Sequence, residues 1–152
     1  MRGADRKAFA FSVWFVERSE NISPALHAFC YLDLESARAR ADAVDAAVVR
    51  GEDPGPWSGV PMGVKELVAV TGWPDTHGSL LYKDAIADHD STEAARLKHA
   101  GAVLVGLTTS PEFGSTNWTR TYLHGTTRNP SNQERTPGGP PGGSAAAVAA
   151  GG

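Results

Sequence analysis

The chain has 152 residues, a formal net charge of −3 and a pI near 5.9, with 41% hydrophobic and 20% charged residues. That balance is typical of a soluble globular domain of ordinary core size; it excludes a disordered or fibrous chain, and the lack of a basic block argues against nucleic acid as a partner. Cys30 is the single cysteine, so an internal disulfide is ruled out and a reducing, cytoplasmic setting is expected.

Residues 8–16 (AFAFSVWFV) follow Arg2, Arg6 and Lys7 much as a signal-peptide core would, but Glu17, Arg18 and Glu20 stand where a small-residue cleavage site belongs. The run is too short to span a bilayer, so no membrane partner is expected. It reads as a core-facing helix or strand within a helical or irregular lead-in over residues 1–26. His27 to Leu32 is short, apolar and aromatic and predicts a strand. Asp33 is placed to cap a helix from Leu34 to about Arg50, with Ala37, Ala41, Val44 and Val48 on one face and Gly51 as the stop. Residues 52–57 (EDPGPW) form a turn cluster.

Val60 to Val70 is a mostly apolar run carrying Lys65 and Glu66, expected as a strand that ends in a functional turn. Asp90 with Glu93 resembles a capping box for a helix that turns Ala94, Leu97 and Ala100 inward and ends at Gly101. Ala102 to Leu107 is an unbroken apolar strand of the kind a parallel sheet covers on both faces. Strand, helix and strand in succession predict a βαβ unit and an α/β fold with two or three parallel strands. Thr108 to Thr136 reads as loops, with one helical turn after Pro111.

The segment from Thr136 to Gly152, TPGGPPGGSAAAVAAGG, holds Gly or Pro at nine of 17 positions. Such a loop suits unusual dihedrals and close approach, and it opens onto a small-residue helix that can be packed against on every side. Loops of this kind at a helix start can hold anions; by composition alone the stretch equally suits a flexible linker and a frayed terminus. Gly138 and Gly143 have P-loop spacing, but Ser144-Ala145 follow where Lys and Ser or Thr are needed, so a nucleotide is not expected. No metal site is expected either: the five histidines form no metal-binding motif, and Asp88-His89-Asp90 reads as a solvated turn. Lys65 is the candidate base, since burial inside an apolar strand disfavours the charged ammonium; taken alone, a lysine here better suits the exposed face of an edge strand.

Four segments occur in one order: residues 59–66 (GVPMGVKE), Thr92 to Thr109 leading into Ser110-Pro111-Glu112-Phe113-Gly114, Asn129-Pro130, and the glycine–proline loop with its helix. Together, from about His27 to Gly152, they resemble the first part of the amidase signature family. The resemblance implies an α/β/α fold with a mixed sheet, incomplete in this chain, and makes residues 27–152 the N-terminal portion of one amidase domain. It implies hydrolysis of carboxamides with no cofactor, by a Ser-Ser-Lys triad in which a neutral lysine draws a proton through a bridging serine from a nucleophilic serine. The lysine corresponds to Lys65, with Glu66 in place of the family's aspartate. The bridging serine, which follows a cis peptide in the family, corresponds to Pro140, with Pro141 beside it; an X-Pro bond tolerates cis. Proline has no hydroxyl and cannot relay a proton. Ser144 corresponds to a helix-start residue, and the nucleophile belongs to a segment beyond these 152 residues.

The expectation is therefore an amidase segment that keeps only the lysine and is inactive alone. Two alternatives stay open: a non-catalytic binding module on the same scaffold, and a hydrolase using a different constellation. Trp57, Trp73, Trp118 and Tyr122 are candidates to line a site, and Asn117 and Thr119 to face a substrate, but neither the substrate nor the oligomeric state can be read from these residues.

Overall fold

The computed structural model describes Arg18, Asn21 and residues 24–151. The apolar run at 8–16 lies outside the described residues. In chain order the elements are β1 (Phe29–Leu32), α1 (Leu34–Val49), β2 (Pro61–Lys65), a 3-10 turn (Leu80–Tyr82), α2 (Thr92–His99), β3 (Val103–Thr108), a second 3-10 turn (Glu112–Gly114), the short strands β4 (Arg120–Thr121) and β5 (Gly125–Thr126), and α3 (Gly142–Ala149).

The main sheet has the order β1-β3-β2, with β3 buried at all six positions between its neighbours. β2 runs parallel to β3, as the βαβ reading requires, but β1 runs antiparallel to it. The reason lies in the loop after α1. Trp57 N donates to Ala100 O at 2.8 Å and Gly59 N to Gly101 O at 3.1 Å. These bonds return the chain to the start of β3, so β2 sets out beside it in the same direction, opposite to β1.

Residues of β3 serve two cores, with an irregularity in register between Leu104 and Gly106 placing Leu107 on the same side as Leu104. Val103 and Val105 pack with Ala37 and Ala41 of α1 and with Ala146 and Ala147 of α3. Leu104 and Leu107 pack with Ala94 of α2, Val64, Val70 and Trp73. The result is a three-layered α/β arrangement with a mixed sheet in the middle.

Local rules account for most boundaries. Asp33 caps α1 by accepting from Ser36 N at 3.1 Å, and Gly51 ends it with φ +76°. Val48, expected inward, is exposed. A helix of 16 residues is about 24 Å long and a six-residue strand about 20 Å, so the last turn of α1 runs past the sheet. The cap of α2 is Ser91, not Asp90: Ser91 Oγ accepts from Ala94 N at 3.2 Å. Asp90 is drawn away by Thr71 N at 2.8 Å and by Lys98 Nζ at 2.7 Å. α3 is packed on one face only, through Ala146 and Ala147, while Ala145 and Val148 are exposed because the sheet covers a single side. No described helix is long and apolar enough to cross a membrane.

Candidate active site

Lys65 is the last residue of β2 and pairs in register with Thr108, the last residue of β3. Its side chain is half-buried. The backbone of Gly114 closes over it; a Cβ built there would lie 3.4 Å from Lys65 Nζ and 2.9 Å from Leu67 Cδ1. Gly114 also has φ +66°, so only glycine fits without strain. The strand reading of Val60–Val70 thus stops at Lys65, where the chain turns with Val68 N donating to Lys65 O at 2.8 Å.

The glycine–proline loop is carried to this same end of the sheet. Thr108 Oγ1, beside Lys65, lies 2.7 Å from Ser144 Oγ in the first turn of α3. Gly143 N donates to Thr109 O at 3.0 Å, so one of the amides expected to cradle an anion is already engaged. A Cβ on Gly143 would meet Ala28 O at 2.5 Å as well as Thr109 backbone, which explains glycine at that position. The loop is further held by Thr119 Oγ1 donating to Gly138 O at 3.1 Å. The cis peptide bond lies between Pro140 and Pro141, one residue later than the bond before Pro140 that the resemblance implies, and both prolines are exposed.

The other sequence candidates separate. Thr119 is buried and holds the loop rather than facing solvent. Asn117 is exposed, with Gly139 against its backbone. Trp73 is buried beside Tyr31, ring centroids 5.4 Å apart, and donates to Asp33 Oδ2 at 2.8 Å. It lines a cavity of about 550 Å³ with Tyr31, Arg40, Lys98 and Leu104, to which Lys65 does not contribute. Trp57, Trp118 and Tyr122 are exposed. His89 pairs with Asp88 at 2.7 Å, both exposed, as the solvated-turn reading expects.

Two groupings near Lys65 have no local sequence signature. Phe113 and His77 both hold left-handed backbone, φ 52° and 50°, and their rings stack at 6.0 Å, with Tyr82 edge-on to each. Such φ values are uncommon outside glycine, and the bond from Phe113 N to His77 O at 2.9 Å fixes the pair. The second grouping centres on Glu66, which is 1% exposed. It accepts from Ser110 N at 2.7 Å, Ser110 Oγ at 3.2 Å, Thr76 Oγ1 at 3.3 Å and Cys30 Sγ at 3.7 Å, and lies 2.9 Å from His124 Nε2.

Burial pushes the Glu66 carboxyl up, but the hydrogen bonds from His124 and Ser110 outweigh it and hold it below the usual carboxylate range. Burial, and next the Glu66 charge, push the Cys30 thiol well above its ordinary value, so it is a neutral thiol here rather than a nucleophile. Among the described residues, Cys30, Glu66 and His124 are the one group of His, Cys and acidic side chains placed to share a metal ion.

Comparison with known proteins agrees with this geometry. The family model for amidases matches residues 13–152. The chain is 42% identical to a glutamyl-tRNA(Gln) amidotransferase subunit from Gloeobacter violaceus over 146 residues, 96% of this chain and 30% of that protein. It is 44% identical to the corresponding protein of a Roseiflexus species, over 86% of this chain and 26% of that protein. Among solved structures, a bacterial aryl acylamidase of the amidase signature family superposes with TM-score 0.87 at 33% identity, covering 93% of this chain and 30% of that one. The substrate complex of 6-aminohexanoate cyclic dimer hydrolase superposes with TM-score 0.86 at 32% identity, covering 98% and 30%. The chain thus spans about 30% of the length of such relatives. With the lysine segment, the glycine loop and the mixed sheet all in place, it belongs to the amidase signature family.

Proposed function

We propose that residues 27–152 are the N-terminal portion of one carboxamide-hydrolysing domain, preceded by a lead-in over residues 1–26, and that Lys65 is its catalytic base. The observation that carries this reading is the meeting of the two motif segments at one end of the sheet: Lys65 pairs with Thr108, and Thr108 contacts Ser144 of the glycine loop. Lys65 is half-buried with Gly114 close against its Nζ, a placement suited to accepting a proton relayed through a hydroxyl.

The hydroxyl is what this chain lacks. Pro140 occupies the position of the bridging serine, and proline can neither donate nor relay a proton. With the relay interrupted, the isolated chain is inactive; losing members of such a catalytic unit costs several orders of magnitude in rate. The substrate is a small carboxamide, in keeping with the acylamidase and cyclic-dimer hydrolase relatives, and the setting is cytoplasmic. Pro140 also favours a second reading, a scaffold that binds amides without turnover.

A chimera tests both readings. Residues 27–152 replace the matching segment of a full-length aryl acylamidase, with and without Pro140→Ser and Pro141→Ser. The proposal expects no turnover with the prolines, activity once the serines are restored, and its loss on Lys65→Ala. Turnover that survives Lys65→Ala removes lysine from the role of base. Amide binding without turnover in the serine-restored chimera favours the scaffold reading.

A further inference from the structure

We propose that Cys30, Glu66 and His124 form a zinc-binding site buried behind the turn that carries Lys65. The three come from separate parts of the chain: β1, the residue after β2, and the loop joining β4 to β5. Their ligand atoms nevertheless lie within 4.8 Å of one another. Sulfur, imidazole nitrogen and carboxylate oxygen are the donor set that zinc accepts in four-coordinate sites.

Glu66 divides its oxygens between two tasks. Oε1 takes both the backbone N–H and the hydroxyl of Ser110, at 2.7 and 3.2 Å, which fixes the carboxylate plane. Oε2 faces Cys30 Sγ at 3.7 Å, His124 Nε2 at 2.9 Å and Thr76 Oγ1 at 3.3 Å. The arrangement is that of a ligating carboxylate whose other oxygen is held by an outer shell of hydrogen bonds. Tetrahedral zinc, with bonds of about 2.0 Å to N and O and about 2.3 Å to S, keeps its ligand atoms about 3.3–3.5 Å apart. The Cys30–Glu66 pair is close to that spacing, and the His124 ring needs to withdraw by about half an ångström to reach it.

The ring is held from the backbone side. His124 N donates to Thr121 Oγ1 at 2.8 Å, and its carbonyl lies 3.2 Å from His27 Nδ1. The His124 side chain is 18% exposed and leaves a way in for the ion and a water as fourth ligand.

Charge favours the ion. A thiol beside a buried carboxylate stays protonated because two adjacent anions in a desolvated site repel each other. A divalent cation between a thiolate, a carboxylate and a neutral imidazole makes a site of zero net charge, so the burial that opposes a lone thiolate ceases to oppose this one. On binding, Cys30 releases its thiol proton to solvent, and His124 carries its proton on Nδ1 and offers the Nε2 lone pair. The absence of a metal motif in the sequence is no obstacle, since the ligands are brought together by the fold and not by spacing along the chain.

The test uses the full chain, stripped with chelator and shown to be folded by far-ultraviolet circular dichroism, then titrated with Zn²⁺ by calorimetry and with Co²⁺ by absorption. Cys30 is the only cysteine, so a thiolate-to-cobalt charge-transfer band identifies it without ambiguity. The expected result is one ion per chain, that band together with the visible bands of four-coordinate cobalt, and protection of Cys30 from thiol reagents by zinc. Cys30→Ser abolishes the band, and His124→Gln weakens zinc binding by roughly 100-fold. His89→Gln, in the exposed Asp88 pair, leaves both unchanged. Folded wild-type chain that gives no charge-transfer band, or zinc affinity unaltered in Cys30→Ser, overturns the proposal. Should either variant misfold, the wild-type cobalt spectrum and the thiol protection decide it.

Discussion

Replacing Glu66 by alanine leaves at least four donors facing a methyl group: the N–H and hydroxyl of Ser110, the Thr76 hydroxyl and the His124 ring. Ser110 is 0% exposed and Thr76 5%, so water cannot readily take the place of the carboxylate. Hydrogen bonds to a charged group contribute about 1.5–3 kcal/mol, and a buried donor left without a partner costs about 1–3 kcal/mol. Removing a desolvated carboxylate returns part of this, because the burial of Glu66 opposes its charge. With the unmet donors outweighing the relief of desolvation, the loss expected for Glu66→Ala is about 3 kcal/mol. Against a typical total of about 5–15 kcal/mol, such a loss removes a large share of the stability. Glu66→Gln keeps the shape and the acceptor for Ser110 and should cost about 1–2 kcal/mol. The measurement is urea unfolding followed by tryptophan fluorescence, with chelator present so that no ion contributes, and with slopes compared to confirm an unchanged native state. A loss below about 1 kcal/mol for Glu66→Ala, or an alanine no worse than the glutamine, refutes the reasoning.

Gly143→Ala forces a methyl onto the backbone of Thr109 and Ala28, and should cost about 1–3 kcal/mol with faster proteolysis of α3. Asp90→Asn removes a carboxylate that its hydrogen bond from Lys98 holds below the ordinary value of 3.8. The contribution is therefore present above that value and lost as pH falls through the lower folded one; melting should show a deficit of about 1 kcal/mol near neutrality that disappears in acid. Trp73→Phe deletes the bond from Nε1 to Asp33 but leaves the helix cap on Ser36, and should cost about 1 kcal/mol in denaturant unfolding, with α1 intact by circular dichroism.

The parts legible in the sequence are those governed by neighbours along the chain. Asp33 and Gly51 bracket α1 as capping chemistry dictates, and the unbroken apolar run of β3 marks a central strand. Departures arise where a distant partner intervenes. Asp90 and Ser91 are both cap-forming residues, and only the reach of Lys98 and Thr71 decides between them. The direction of β2 beside β3 depends on two bonds from residues 57 and 59 to the end of α2. Lys65 stands out through its apolar surroundings and the family resemblance together. The Glu66 cluster is invisible in the sequence, since Cys30 and His124 lie 36 and 58 residues away from it along the chain.

The end of β3 also governs how this chain assembles. Thr109 binds His27 O, 82 residues earlier, Ser110 binds Glu66, 44 residues earlier, and Thr108 meets Ser144, 36 residues later. During synthesis β1 therefore emerges long before the strand that completes it, and its unpaired edge is exposed until β3 arrives. Native contacts at such separations make folding slow, on the scale of milliseconds to seconds. The same junction that gathers Lys65 and the glycine loop is thus completed only after Ser144 has been made.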